Sequence, residues 1–241
     1  MQQGLTDKRV VILGGTSGLG LATARAAAAQ GAQVVVVSGN AARVEAALKA
    51  LPDNAEGHAL DLSRESNIAA FFEGVGAFDH LVYTAAENLT LQWVKDTDLV
   101  KARDFFTLRY WGVLAAVKYA TPHIRQGGSI GLTGGIAGPR PGKGWALAAS
   151  ICGAMEGLTR ALAVELAPLR VNLVAPGVVR TPLWSGIPEE ERERFYAETA
   201  ARLPAGRVGE AEDIARSFVY LMEQSFVTGQ VLIVDGGTVL V

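Results

Sequence analysis

Gly14, Gly18 and Gly20 punctuate the segment Gly14-Gly15-Thr16-Ser17-Gly18-Leu19-Gly20. It follows the apolar tetrad Val10-Val11-Ile12-Leu13 and precedes an alanine-rich run over 21–30. A buried strand, a glycine turn and a strong helix former, in that order, build an anion cradle. Gly14 permits the tight turn, Gly18 lets the backbone come close to the anion, and Gly20 lets helix and sheet pack together. The free N–H groups at the helix start then face the charge, which suits a dinucleotide pyrophosphate. A second group follows the apolar run Val34-Val35-Val36-Val37: Ser38, Gly39 and Asn40, with Arg43 close by and no carboxylate. A carboxylate there would bond the ribose 2′-hydroxyl of NAD(H), whereas donors and a cation suit the 2′-phosphate of NADP(H). Thr16 and Ser17 bring hydroxyls to the same place. The expected cofactor is NADP(H) in preference to NAD(H).

Short apolar runs alternate with helical stretches along the rest of the chain. Helices are expected over 41–51, 63–72 with Ser63 as N-cap, 99–119 stopped by Pro122, 146–166 ended by Pro168, 189–202 and 210–224. Strands are expected at 58–60, 80–83, 129–133, 171–175 and 231–234. Strands without polar alternation, separated by helices, mean a parallel sheet covered on both faces. No linker, repeat or low-complexity tract interrupts the 241 residues, so one α/β doubly wound domain is expected.

Charge and composition narrow the partners. With 22 Lys+Arg against 24 Asp+Glu and no basic block, neither nucleic acid nor an anionic membrane has an electrostatic footprint. The single cysteine, Cys152, provides no disulfide framework and no metal cluster, and suits a reducing cytoplasm. The first nine residues lack the apolar core of a signal peptide, and no apolar run is expected to span a bilayer.

Along its whole length this layout resembles the short-chain dehydrogenase/reductase family. Besides the glycine turn, the matching pieces are Asp61-Leu62, Arg170-Val171-Asn172 leading to Pro176-Gly177, and Thr181-Pro182. Gly206-Arg207-Val208-Gly209 with Asp213-Ile214-Ala215, and Thr228-Gly229-Gln230-Val231 ending at Asp235-Gly236-Gly237, complete the match. The resemblance implies a single Rossmann-type domain over 1–241 with about seven strands, a nicotinamide cofactor, a small-molecule substrate and a homotetramer. It implies cofactor contacts at Gly14, Thr16, Ser17, Gly18, Leu19, Gly20, Ser38, Asn40, Arg43, Asp61 and Leu62. Further contacts fall on Thr84, Ala85, Ala86, Pro176, Gly177, Val179 and Thr181. It also places a substrate lid over about 182–202.

Gly157-Leu158-Thr159-Arg160-Ala161-Leu162 fixes the register of the helix that carries the family's chemistry, and the register reveals departures. The family's Tyr-x-x-x-Lys falls on Ala148 and Cys152, its serine on Gly135, and its asparagine on Arg109. The usual proton relay is therefore missing. Arg109, expected to face the cleft, needs an anion: the substrate, a cofactor phosphate or a carboxylate such as Glu87. Its fork suits an oxyanion or a carboxylate, so the substrate is expected to carry a carbonyl or an anionic group. The proton donor is open between Tyr83, Lys143 and water, with Thr133 the hydroxyl nearest Gly135. Cys152 reads as an inert buried thiol. Two functions remain open: an atypical NADP(H)-dependent reductase of a small carbonyl, imine or alkene, or a catalytically silent NADP(H)-binding subunit or redox sensor. No metal site is expected.

Overall fold

Val10, Val11, Ile12 and Leu13 are wholly buried, and the two-residue period of a strand divides them between two cores. Val11 and Leu13 pack with Phe72, Phe78 and Leu132; Val10 and Ile12 pack with Ala24, Val36 and Phe218. A strand apolar on both faces needs cover on both, and the rest of the chain supplies it. The computed structural model describes residues 4–89 and 91–241. The first half runs β1 (Arg9–Leu13), α1 (Gly18–Ala29), β2 (Gln33–Ser38), α2 (Ala41–Leu48), β3 (Glu56–Ala59), α3 (Glu65–Val75) and β4 (Phe78–Tyr83). Then come α4 (Leu99–Phe106), α5 (Gly112–Ala120), β5 (Ile124–Thr133), α6 (Ala146–Glu165) and β6 (Arg170–Pro176). The chain ends with β7 (Val179–Arg180), α7 (Glu189–Ala200), β8 (Gly209–Glu210), α8 (Ala211–Glu223) and β9 (Val231–Val234).

Seven strands form one sheet in the order β3-β2-β1-β4-β5-β6-β9, every pair parallel. The Rossmann-type, doubly wound fold expected from the sequence is the fold observed. Leu13 is level with Val37 on one side and Tyr83 on the other, so β1, β2 and β4 end together. The chain leaves β1 toward β2 and later returns to its opposite side as β4. That reversal of strand order opens a crevice beyond the carboxyl ends.

Several elements depart from expectation. The helix expected over 99–119 is α4 and α5 joined by a π-helical turn, Thr107–Trp111. Ser63 does not cap α3, which begins at Glu65 with Arg64 at its N-cap. Instead the Ser63 N–H and hydroxyl both donate to Asp61 Oδ1, at 2.9 and 2.7 Å. β5 begins at Ile124, ahead of the expected 129. Helix α6, 20 residues long with a mean hydropathy of 1.3, is by length and composition able to cross a membrane, contrary to the sequence reading. Its Ala148, Ile151, Met155 and Leu162 face the protein core, which accounts for the apolar composition.

Candidate functional site

A cleft of about 520 Å³ opens over the carboxyl ends of the strands, a size that suits a small-molecule ligand. Glycine is required at its floor. Gly14 has φ +90°, and a Cβ there would lie 2.5 Å from the Ala85 nitrogen. A Cβ on Gly20 would collide with the Gly14 carbonyl oxygen and with Thr84 Oγ1. Ser17, the N-cap of α1, is extended and makes no side-chain bond to the helix, and the first turn carries no acid. The N–H groups of that turn are thus left for an anion.

The residues expected around the cofactor all line this one cleft. They run from the glycine turn through Ser38, Asn40 and Arg43, then Asp61 and Leu62, Thr84, Ala85 and Ala86, to Pro176, Gly177, Val179 and Thr181. Asn40 caps α2 by accepting from the Arg43 N–H at 3.0 Å, which fixes Arg43 in the first turn beside Ser38. Asp61 is held below the usual carboxylate range by the hydroxyl and N–H of Ser63, so it is anionic. No other carboxylate lines the cleft among the described residues.

At the opposite end Arg109, Gly135, Ala148 and Cys152, the four positions that the sequence register aligned with the family's catalytic groups, all line the cleft. Arg109 lies in the π turn, a distortion frequent at functional sites because it redirects side chains. Its Nη2 donates to the Glu87 carbonyl oxygen, and its Nε lies 3.6 Å from Glu87 Oε2. The Phe105 ring sits 4.7 Å from the guanidinium carbon. Nε is buried without a hydrogen-bond partner, the Glu87 carboxylate oxygen lying just beyond bonding range. Burial depresses the Arg109 pKa and raises that of Glu87, each opposed by the partner's charge.

The other catalytic expectations change. Tyr83 is no proton donor: it is 2 % exposed, its hydroxyl donates to the Leu108 carbonyl at 2.8 Å, and burial drives the phenol far above its usual range. Its hydroxyl props the π turn, and Gly112 leaves room for it, since a Cβ there would lie 2.6 Å away. Lys143 is exposed and off the cleft wall. Thr133 is on the wall, with its hydroxyl donating to the Tyr83 carbonyl at 2.7 Å. Cys152 is buried, and burial pushes its thiol up. A Cβ on Gly135 would lie 3.3 Å from the Cys152 sulfur, tight enough that the sulfur would have to shift by a few tenths of an ångström. Of the segment 182–202, residues Pro182, Leu183, Trp184 and Ser185 reach the cleft and α7 does not. Trp184 lines the cleft from the segment expected to cover it, whereas the sequence reading missed Trp145, which stands immediately before α6.

Residues 14–239 match the family model described as Enoyl-(Acyl carrier protein) reductase. The chain is 36 % identical to the short-chain dehydrogenase/reductase ATR9 of Stachybotrys chlorohalonatus, covering 98 % of each chain. Among solved structures it resembles a small-chain dehydrogenase in complex with NADPH, with a TM-score of 0.86 and 34 % identity over 97 % of this chain and 99 % of that one. It also resembles the MalC reductase/Diels-Alderase of Malbranchea aurantiaca, with a TM-score of 0.92 and 29 % identity over 100 % of both chains.

Proposed function

The chain belongs to the short-chain dehydrogenase/reductase family, and from that premise we propose that it is an NADP(H)-dependent reductase of a small carbonyl, imine or alkene, working without the family's proton relay. The observation that carries this reading is the continuity of one cleft from the glycine turn to Arg109. The cradle fits a dinucleotide: Gly14 and Gly20 have no room for a Cβ, and the α1 N-terminus is uncapped. Ser38, Asn40 and Arg43, without a carboxylate beside them, favour a 2′-phosphate. When bound, the nicotinamide supplies the hydride.

The protein's own part is binding and charge. Arg109 offers a donor to an oxygen or nitrogen that gains electrons, and its guanidinium stays protonated while doing so. It stabilises the developing charge but does not give up a proton. With Gly135, Ala148 and Cys152 in place of the relay, the proton comes from water. Segment 182–202 acts as a lid through Leu183 and Trp184. The assembly is a homotetramer in the cytoplasm, consistent with exposed Trp111 and Val164 on the long helices and Leu240 at the C-terminus. The replacement of three relay positions at once favours a second reading, a catalytically silent NADP(H)-binding subunit or redox sensor.

Fluorescence titration tests the cofactor: NADPH should bind more tightly than NADH, and the reverse order overturns the preference. A panel of carbonyl, imine and alkene substrates tests the reaction. Arg109→Ala should lower turnover about 100-fold with NADPH affinity nearly unchanged. Unaltered turnover removes Arg109 from the mechanism, and no turnover from the parent protein favours the silent subunit.

A further inference from the structure

Resting on that reading of the cleft, the Arg109–Glu87 pair bears on which substrates the reactive end accepts. Among the described residues the cleft is lined by three charged side chains: Arg43 and Asp61 at the glycine-turn end, and Arg109 at the other. Around Arg109 the walls are Leu89, Leu108, Trp145, Ile151, Met155 and Trp184. A lone guanidinium among such walls would attract any carboxylate strongly, because low polarity magnifies Coulomb forces. Arg109 is not alone. Its side chain is 16 % exposed, and the Glu87 carboxylate, 42 % exposed, lies 3.6 Å from Nε. The Glu87 backbone carbonyl holds Nη2 as well, so loop and side chain fix the guanidinium together.

We propose that Glu87 is a specificity-determining residue, whose carboxylate neutralises Arg109 so that the reactive end accepts an uncharged carbonyl or imine compound and rejects carboxylates. A carboxylate entering the cleft meets Arg109 with its charge already offset by Glu87, which lies outside the cleft lining. Weakening the attraction for one class of ligand is as much a source of specificity as strengthening it for another. A neutral acceptor loses less on leaving water. If Glu87 served only to tie its loop to the π turn, charge selection would not depend on it.

The test uses the full chain loaded with NADPH and two probes of one shape, cyclohexanecarboxamide and cyclohexanecarboxylate, with binding measured by calorimetry. The parent protein should bind the amide more tightly than the carboxylate by about tenfold or more. Glu87→Gln, nearly isosteric, should shift the ratio toward the carboxylate by about tenfold or more while NADPH affinity holds. Glu87→Asp should keep the parent order, and adding Arg109→Met to Glu87→Gln should cancel the shift. A carboxylate bound at least as tightly as the amide by the parent overturns the proposal, even if the variant fails to fold. An unmoved ratio in Glu87→Gln overturns it too, as does binding of neither probe to either protein. Failure of the parent protein to bind NADPH counts instead against the cofactor reading of the cleft.

Discussion

At the glycine-turn end of the cleft the surface is mostly backbone: the turn at Gly14, the open N-terminus of α1 and the level ends of β1, β2 and β4. At the reactive end it is side chains on separate elements, Arg109 in the π turn, Gly135 beyond β5, and Ala148 and Cys152 on α6. Backbone geometry restricts which residues can stand at a position, and so it writes itself into the sequence. A side-chain constellation can be exchanged piece by piece while the scaffold stands. One cleft thus pairs an end built of backbone with an end built of side chains.

The sharpest way to break that contrast is at the backbone end. Gly20→Val drives a branched side chain into the Gly14 carbonyl and Thr84. It should abolish saturable NADPH binding and lower stability by about 3 kcal/mol or more, read by fluorescence titration and urea unfolding. A variant that binds NADPH normally would show that the turn does not need its close approach.

The next effect separates titration of the scaffold from titration of the cleft. His80 lies in the sheet with Nδ1 2.9 Å from Ser129 Oγ, and burial holds its pKa down at about 4, against the pull of Asp79. The folded state therefore favours the neutral ring. Stability is fully present above the unfolded value near 6.5 and falls as pH drops toward about 4, where the loss levels off. The loss should reach about 3 kcal/mol. Urea midpoints across that range check it, and His80→Gln should flatten the slope. An equal slope in the variant assigns the loss elsewhere.

Tyr83→Phe gives the smallest expected effect and probes the reactive end. It leaves the Leu108 carbonyl without the Tyr83 hydroxyl, costing about 1 kcal/mol, while turnover per folded molecule should fall less than about threefold. Loss of turnover with stability intact would return Tyr83 to the chemistry.

How far the sequence could be read follows the same division. The strands were legible because four-residue apolar runs suit a sheet covered on both faces, and the glycine turn because other residues do not fit there. The lining of the cleft by Thr84, Pro176 and Thr181 was implied by the family resemblance, which aligns them with its cofactor-contacting positions. Glu87 could be named as a partner for Arg109, but its two-point hold on the guanidinium could not. The break in the long helix was hidden because apolar spacing continues across it. The fate of Tyr83 depended on what packs over the end of β4, and Lys143 sits in a loop whose path no periodicity records. The crowding of Gly135 by Cys152 joins residues 17 positions apart and has no local signature.

The π turn between α4 and α5 has one further consequence, best put mechanically. It is a joint in a rod: the wide turn holds an extra residue, so the faces before and after it are out of phase. Deleting one residue from Thr107–Trp111 would let a plain α-helix run through. That would swing α4 by about 100° relative to α5, carrying Phe105 away from the guanidinium it covers. Length in this short stretch is therefore as binding a constraint as residue type, and a deletion that spares Arg109 and Phe105 themselves would still dismantle the reactive end.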